Sequence, residues 1–320
     1  MNRPLLVAEN LVKHYKARDG KGVARAVDGV SLTLEKGETL GIVGESGCGK
    51  STLARLVLRL IEPTAGRVML DGEDILALRP GQLRRRRRDM QIVFQDPFAS
   101  LDPRMSIGQI ITEPLDIHKV GTPADRRRKV EDLLLLVGLD RSALTRYPHE
   151  FSGGQRQRIG IARAIALEPK LLVLDEPVSA LDVSIQSQIL NLLIDLKSRL
   201  DLSYIFISHD LSVVEHVSDR VSVMYLGRIV EEGTASQVLR QPKHPYTEAL
   251  VSAVPGTKRG PRIVLKGDPP SPEAVPGGCR FHPRCPKVLD ICSHTAPPSI
   301  SGAGSSRVEC HLYGPANPAR

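Results

Sequence analysis

Gly44-Glu45-Ser46-Gly47-Cys48-Gly49-Lys50-Ser51-Thr52 is the stretch that decides the fold class. It fits G-x-x-x-x-G-K-[ST], follows the β-rich run Thr39-Leu40-Gly41-Ile42-Val43 and precedes the helical Leu53-Ala54-Arg55-Leu56-Val57-Leu58. A strand, a glycine-rich loop and a helix in that order turn the pattern into a phosphate-binding loop. The glycines let successive backbone N–H groups converge on phosphate oxygens, and the helix presents its positive end to the same anion. Lys50 is expected to neutralise the β- and γ-phosphates and Ser51 to hold Mg²⁺. Cys48, inside the loop, has two readings: a thiol whose pKa is lowered beside the helix start, or a small residue filling space.

Leu171-Leu172-Val173-Leu174-Asp175-Glu176 reads as a buried strand ending in two acids. Carboxylates leaving the C-terminal edge of a strand lie where α/β sheets bind ligands. Asp175 is expected to order the Mg²⁺ shell, and Glu176 to act as general base or to orient water for in-line attack on the γ-phosphorus. Read alone, such an Asp-Glu-Pro is a solvated turn; the phosphate loop upstream reverses that reading.

Further on, Phe151-Ser152-Gly153-Gly154-Gln155-Arg156-Gln157-Arg158 precedes a helical stretch with Ile159, Ala162, Ile165 and Ala166 on one apolar stripe. Ser152 and Gln155 have capping-box spacing, which by itself describes an ordinary helix start. The paired glycines ask for more, because Gly is poor in a first turn unless something approaches the backbone closely. A second anion-binding helix terminus meets that condition.

Short apolar runs at Met90 to Phe94 and Tyr204 to Ile207 join those above as buried parallel strands of an α/β layer. Val221 to Glu232 holds two β-rich runs about Gly227-Arg228, consistent with a hairpin. Past Gln241 the composition shifts to Pro, Gly, Ser and Cys, which places a boundary near residue 240 with little regular structure after it.

A chain of 320 residues suits one large domain with an appendage or two domains. The net charge of +8 favours acidic partners, whether nucleotide, nucleic acid or lipid headgroup. With 3% aromatics and no Trp, a stacking platform for bases is poorly supplied. The longest apolar runs, Leu133 to Val137 and Leu171 to Leu174, are far too short to span a bilayer. The start, Met1-Asn2-Arg3-Pro4, lacks the apolar core and cleavage site of a secretory signal, so a reducing, cytosolic location is expected. In such a compartment Cys279, Cys285, Cys292 and Cys310, crowded into the last 42 residues, suggest metal before disulfides.

Taken together, these motifs resemble the nucleotide-binding subunit of ABC transporters, whose signature is usually Leu-Ser-Gly-Gly-Gln and here begins with Phe151. Gly44 to Thr52 resembles the Walker A loop, Leu171 to Glu176 the Walker B strand, and Gln95 after Val93-Phe94 the Q-loop glutamine. Ser179-Ala180-Leu181-Asp182 resembles the D-loop, His209 in Ile207-Ser208-His209-Asp210 the switch histidine, and Tyr15 sits where the family places an adenine-stacking aromatic. The resemblance covers roughly residues 5 to 240. It implies an α/β P-loop NTPase core with an antiparallel β part and a helical subdomain at about 96–158. It further implies two subunits that sandwich ATP with Mg²⁺ held by Ser51, Gln95 and Asp175. Ser152, Gly153, Gly154, Gln155 and Asp182 then serve the partner's nucleotide.

A narrower resemblance rests on Val93-Phe94-Gln95-Asp96-Pro97, Ser100-Leu101-Asp102-Pro103-Arg104 and the tail over 241–320. There His244-Pro245-Tyr246-Thr247, Gly267-Asp268-Pro269-Pro270-Ser271-Pro272 and Cys279-Arg280-Phe281-His282-Pro283-Arg284-Cys285-Pro286 are similar to oligopeptide and dipeptide importer ATPases. Ser51-Thr52-Leu53-Ala54-Arg55 looks more like the F-type subunit than the D-type. That implies a D-type ATPase as heterodimer partner, two transmembrane permease subunits, an extracytoplasmic peptide-binding protein, and a peripheral place on the cytoplasmic face of the cell membrane. The tail cysteines are separated by five, six and seventeen residues, wider than C-x₂₋₄-C zinc pairs. The resemblance implies a [4Fe–4S] cluster, with Zn²⁺ or metal-free thiols as alternatives.

Arg84-Arg85-Arg86-Arg87-Arg88 supports a rival, an ABC-type ATPase working on nucleic acid. The tail motifs argue against it, and no nucleic-acid partner is expected. Cargo is not written in this chain: peptides and nickel complexes stay open.

Overall fold

The computed structural model describes residues 3–16, 22–96, 98–254, 262–302 and 306–314; Met1-Asn2 and Pro97 of the motifs above lie outside them. The chain divides into two compact units, one made of Met1–Leu76 with Ile207–Arg320, the other of Ala77–Phe206.

The first unit opens with β1 (Leu6–Lys16) and β2 (Val23–Leu34), paired antiparallel, followed by β3 (Thr39–Val43), α1 (Lys50–Val57), β4 (Ala65–Leu70) and β5 (Glu73–Asp74). β1, β2, β4 and β5 form a four-stranded sheet in the order β2-β1-β4-β5. In β2 only one face is buried near its end, through Val30, Leu32 and Leu34. All five residues of β3 are buried, the mark of a strand covered on both faces. The loop after it turns into α1, which buries Leu53, Ala54, Leu56 and Val57.

The second unit carries α2 (Pro80–Arg86), β6 (Met90–Val93), α3 (Ile107–Ile117), α4 (Pro123–Leu136), α5 (Gly153–Ile165), β7 (Leu171–Asp175), α6 (Val183–Leu200) and all but the last residue of β8 (Ser203–Ile207). Its strands run in the order β8-β7-β6, with β6 and β7 parallel from Met90↔Leu171 to Val93↔Leu174. α3 starts at a Ser106–Gln109 capping box and buries Ile107, Ile110, Ile111 and Leu115, the i, i+3, i+4 spacing of one helix face. α4 starts on Thr122 and Pro123, and packs Val130, Leu133 and Leu134 inward. The helical part expected at about 96–158 thus holds α3, α4 and the first turns of α5.

The chain returns to the first unit with α7 (Leu211–Val217), β9 (Arg220–Tyr225), β10 (Arg228–Thr234), α8 (Ala235–Arg240), α9 (Pro245–Ser252), β11 (Ser299–Ser301) and β12 (Arg307–Glu309). β9 lies parallel to β3, and the order continues β9-β10-β12-β11. The β9–β10 hairpin turns on Leu226 (φ 41°) and Gly227 (φ 78°), both left-handed, one residue earlier than the sequence suggests.

Beyond residue 240 regular structure is sparse, limited to α9, the short β11 and β12 and a few 3-10 turns. β12 pairs with β10 through Glu231↔Val308 and Glu232↔Arg307, and Arg307 donates to the Glu232 carboxylate that also receives Arg220. The tail also supplies a buried aromatic cluster. Tyr246 and Phe281 pack on Tyr225, with ring centroids 4.6 and 5.3 Å away. Three-residue strands have no readable period, so pairing decides that they form, β12 on β10 and β11 on β12.

Candidate functional site

The phosphate loop is shaped by glycines that no other residue replaces. Gly44 has φ 152° and a Cβ there would lie 2.2 Å from the Met224 carbonyl oxygen; Gly49 has φ 112° and its Cβ would lie 2.1 Å from the Ala26 oxygen. The loop therefore winds tightly between β2 and the hairpin turn, a close approach only hydrogen atoms permit. Lys50 is buried, and its Nζ donates to the carbonyls of Gly44 (2.8 Å) and Glu45 (3.0 Å), pinned across the mouth of the loop. Gly49 is the N-cap of α1 and offers no side-chain hydrogen bond to the first turn.

Cys48 is 5% exposed, and burial pushes its thiol up despite the nearby Lys50 ammonium. This overturns the activated-thiol reading and leaves the space-filling one. A cleft of about 620 Å³ joins Gly44 and Glu45 to His209, Asp210, Leu250 and Val254. His209 thus faces the same cleft as the phosphate loop. Asp210 beside it caps α7 by accepting from the Ser212 and Val213 N–H groups, which holds the switch segment at a helix start. Tyr15 stands 42% exposed on β1, with Lys13 Nζ over its ring at 5.1 Å from the centroid.

In the second unit, β7 delivers Asp175, 5% exposed, and then Glu176 in a left-handed conformation with φ 48°. A non-glycine residue there is strained, and strain of this kind concentrates at functional sites. Gln95 Nε2 donates to Glu176 Oε2 at 2.9 Å, which brings the Q-loop glutamine onto the expected base. The turn after it is tied by Gln186 Nε2, which donates to the carbonyls of Val178 and Leu181, both at 3.0 Å. Asp182 follows as N-cap of α6 with no side-chain cap bond.

Ser152 caps α5 in the expected capping box, its Oγ accepting from Gln155 N–H while Gln155 Oε1 accepts from Ser152 N–H. The glycines divide. A Cβ on Gly154 would lie 2.4 Å from Ile185 Cγ2 of α6, whereas one on Gly153 would meet Leu181 Cδ2 at an ordinary 3.4 Å. Close helix packing within this chain therefore accounts for Gly154, a cause the sequence reading did not include. The arginines of α5 are occupied structurally: Arg156 donates to the Pro148 carbonyl and stacks over Phe98, and Arg158 donates to the Val137 carbonyl.

The basic run ends α2. Arg84 to Arg86 occupy its last turn, where cations face the carbonyl end of the helix; Arg84 donates to the Ile117 carbonyl and Arg86 pairs with Asp89. In the tail, burial pushes the thiols of Cys279 and Cys310 up to about 11; Cys292 and Cys285 add to the rise at Cys279, and Cys279, Cys285 and Cys292 to that at Cys310. Even so, among the described residues no group of three or more His, Cys, Asp or Glu side chains is placed to hold a metal ion, and the expected cluster geometry is not met. Among the described residues, no helix is long and apolar enough to cross a membrane.

Two residues that the sequence reading placed in tail motifs but gave no site role touch the loop directly. Tyr246 Oη accepts the Glu45 N–H at 2.8 Å, and Arg284 grips the Glu45 carboxylate at 2.7 and 2.9 Å.

Comparison with known proteins agrees with this geometry. Residues 27–179 match the ABC transporter family, and residues 230–292 match the C-terminal region of oligopeptide/dipeptide transporters. The chain is 53% identical to the oligopeptide transport ATP-binding protein AppF of Bacillus subtilis, over 97% of each chain. It is 49% identical to the dipeptide transport ATP-binding protein DppF of Escherichia coli, over 97% of this chain and 95% of that one. Among solved structures, the ATP-binding cassette MJ0796, dimeric and bound to ADP and Pi in a post-hydrolysis state, superposes with a TM-score of 0.66 at 30% identity. That match covers 72% of this chain and 98% of the other. Matches of such length, carried by a loop that only glycines can form and a strained glutamate beside its glutamine, leave one conclusion: this chain belongs to the ABC transporter ATPases, within their oligopeptide/dipeptide transporter group.

Proposed function

We propose that the chain is the F-type half of a peptide-importer engine, hydrolysing ATP at the cytoplasmic face of the cell membrane to drive a permease. Lys50 and the loop N–H groups hold the β- and γ-phosphates, Tyr15 stacks on adenine, and Ser51, Gln95 and Asp175 order Mg²⁺. Glu176 takes the proton of the attacking water, and His209 steadies the γ-phosphate. Ser152 to Gln155 and Asp182 close on the nucleotide of a D-type partner ATPase. The observation that carries this reading is the Gln95–Glu176 hydrogen bond, which ties the residue that senses the Mg²⁺ and permease side to the residue that acts on water.

In partner-assembled protein, Glu176→Gln keeps ATP affinity and lowers phosphate release by at least about 10²-fold, the contribution of a general base. Undiminished release reassigns the base. Peptide cargo rests on the relatives' transport roles and on the tail motifs; uptake of labelled di- and oligopeptides against nickel complexes, in cells carrying the whole transporter, decides it.

Cys279, Cys285, Cys292 and Cys310 are proposed as thiolate ligands of a [4Fe–4S] cluster, with Zn²⁺ as the alternative. Four cysteines within one short segment of the tail support the donor set. Such a cluster supplies a cross-link for a tail too short of apolar surface to fold alone. Anaerobic purification followed by iron, sulfide and zinc analysis tests it: four irons and four sulfides per chain are expected, and metal-free protein removes the proposal.

A further inference from the structure

Glu45 is the second residue of the phosphate loop, and both its backbone and its side chain are held from the C-terminal extension. Its N–H donates to Tyr246 Oη at 2.8 Å. Its carboxylate receives both terminal nitrogens of Arg284 at 2.7 and 2.9 Å, and the Arg284 side chain is only 7% exposed. A forked, charge-assisted contact of this kind fixes orientation as well as distance. Hydrogen bonding to the Glu45 carboxylate raises the Arg284 pKa above its ordinary value.

A second route runs through the β9–β10 hairpin. Arg280 donates to the Leu226 carbonyl and pairs with Asp28. The next residue, Gly227, donates its N–H to the Cys48 carbonyl at 2.9 Å and accepts the Asp28 N–H at 2.9 Å. The tail therefore reaches the loop at Glu45 directly and at Cys48 through two backbone bonds. Lys50 completes the connection, since its Nζ rests on the carbonyls of Gly44 and Glu45. A displaced Glu45 displaces the seat of the ammonium that meets phosphate.

We infer that the C-terminal extension is a positioning element of the nucleotide site: Arg284 and Tyr246, acting through Glu45, hold the phosphate loop and Lys50 in the shape that receives the phosphates. Neither residue touches nucleotide; both act through the loop. The inference rests on Gly44 to Thr52 being the nucleotide site.

The test uses the full-length chain for equilibrium binding of a fluorescent ATP analogue, and partner-assembled protein for kcat and KM. Tyr246→Phe keeps the ring in the aromatic cluster and removes only the hydroxyl; it weakens nucleotide binding about fivefold, the worth of one hydrogen bond. Arg284→Ala weakens binding about tenfold or more, and Arg284→Lys restores part of it, because a lysine keeps the charge without the fork. KM rises more than kcat falls. Arg284→Ala combined with Glu45→Ala binds no worse than Glu45→Ala alone, since the arginine acts only through that residue. Lys287→Ala, which breaks the tail ion pair with Glu248 away from the loop, binds as wild type.

Tail variants that stay folded and bind and hydrolyse ATP like wild type overturn the inference, as does additivity in the double variant. If Arg284→Ala does not fold, Tyr246→Phe decides alone. Lys50→Ala separates the two levels: binding that survives it removes the site assignment itself, whereas binding lost in Lys50→Ala but intact in the tail variants removes only the positioning role.

Discussion

Two helices of this chain begin in opposite ways. α1 starts on Gly49, left-handed, with no side chain to satisfy its first N–H groups. α5 starts on Ser152, whose hydroxyl and the Gln155 amide close a reciprocal capping box. The first four N–H groups of any helix lack partners inside it, and a cap is the usual remedy. In the proposed function α1 offers them to phosphate; α5 covers its own. A helix start that serves a nucleotide held by its own chain is built bare, and one assigned to a partner's nucleotide must first stand by itself.

A third beginning sharpens the contrast. α9 starts on His244, whose Nδ1 accepts the Tyr246 N–H at 3.1 Å, deep inside the protein. That cap is titratable. The three starts therefore predict three kinds of sensitivity, to shape, to pH and to assembly.

The largest effect is expected at the bare start. Gly49→Ala places a methyl 2.1 Å from the Ala26 oxygen in a backbone region alanine avoids. Overpacking and strain together cost about 3 kcal/mol or more, and nucleotide binding is lost as the loop opens. Thermal unfolding with titration of a fluorescent ATP analogue checks both. Nucleotide affinity that stays at the wild-type level in this variant breaks the reading of α1 as the phosphate-binding start.

How much of this was legible beforehand follows from the same physics. Thr39–Val43 and Leu171–Asp175 emerge as strands where the sequence places them, because a strand buried on both faces is apolar throughout and needs no distant information. The phosphate loop is legible because its glycines answer local backbone demands. The hairpin turn falls on Leu226–Gly227 instead of Gly227-Arg228, since a leucine at positive φ runs against its own preference and is imposed by the strands around it. Gly154 is explained by Ile185, thirty-one positions on, and Glu45 by Arg284, 239 positions on. Such partners leave no trace in local composition. Cys48 shows the same limit: the neighbouring cation is visible in sequence, but the burial that outweighs it is not.

The titratable start comes next in size. Complete burial drives the His244 pKa down to about 3, well below its ordinary 6.5. Between those values the unfolded chain takes up a proton that the folded chain refuses, so stability falls as pH drops through this window. The slope is at most about 1.4 kcal/mol per pH unit. Glu231, which accepts the N–H groups of Lys243 and His244, acts in the opposite sense, because burial raises its pKa and the folded state then holds the proton more tightly. His244→Asn keeps a capping oxygen and removes the imidazole titration. Unfolding free energies measured from pH 7 to pH 5 should fall more steeply for wild type than for this variant; parallel slopes exclude His244 as the sensor.

The smallest effect on the chain itself, and the one that tests the contrast most directly, belongs to Ser152→Ala. Removing the hydroxyl that Gln155 N–H reaches costs α5 about 1 kcal/mol, the usual worth of a serine cap. Equilibrium binding of ATP to the isolated chain stays unchanged under the proposed role, in which this helix start serves a partner's nucleotide. Hydrolysis by the partner-assembled protein falls by more than the stability loss explains, since the closed sandwich lacks one of its donors. The two measurements pull the roles apart. If ATP affinity of the isolated chain drops in Ser152→Ala, α5 acts in cis and the division between a bare start and a self-capped one loses its functional meaning. If neither binding nor assembled hydrolysis changes, Ser152 is a cap and nothing more, and the trans contact must rest on Gly153, whose backbone faces only ordinary contacts.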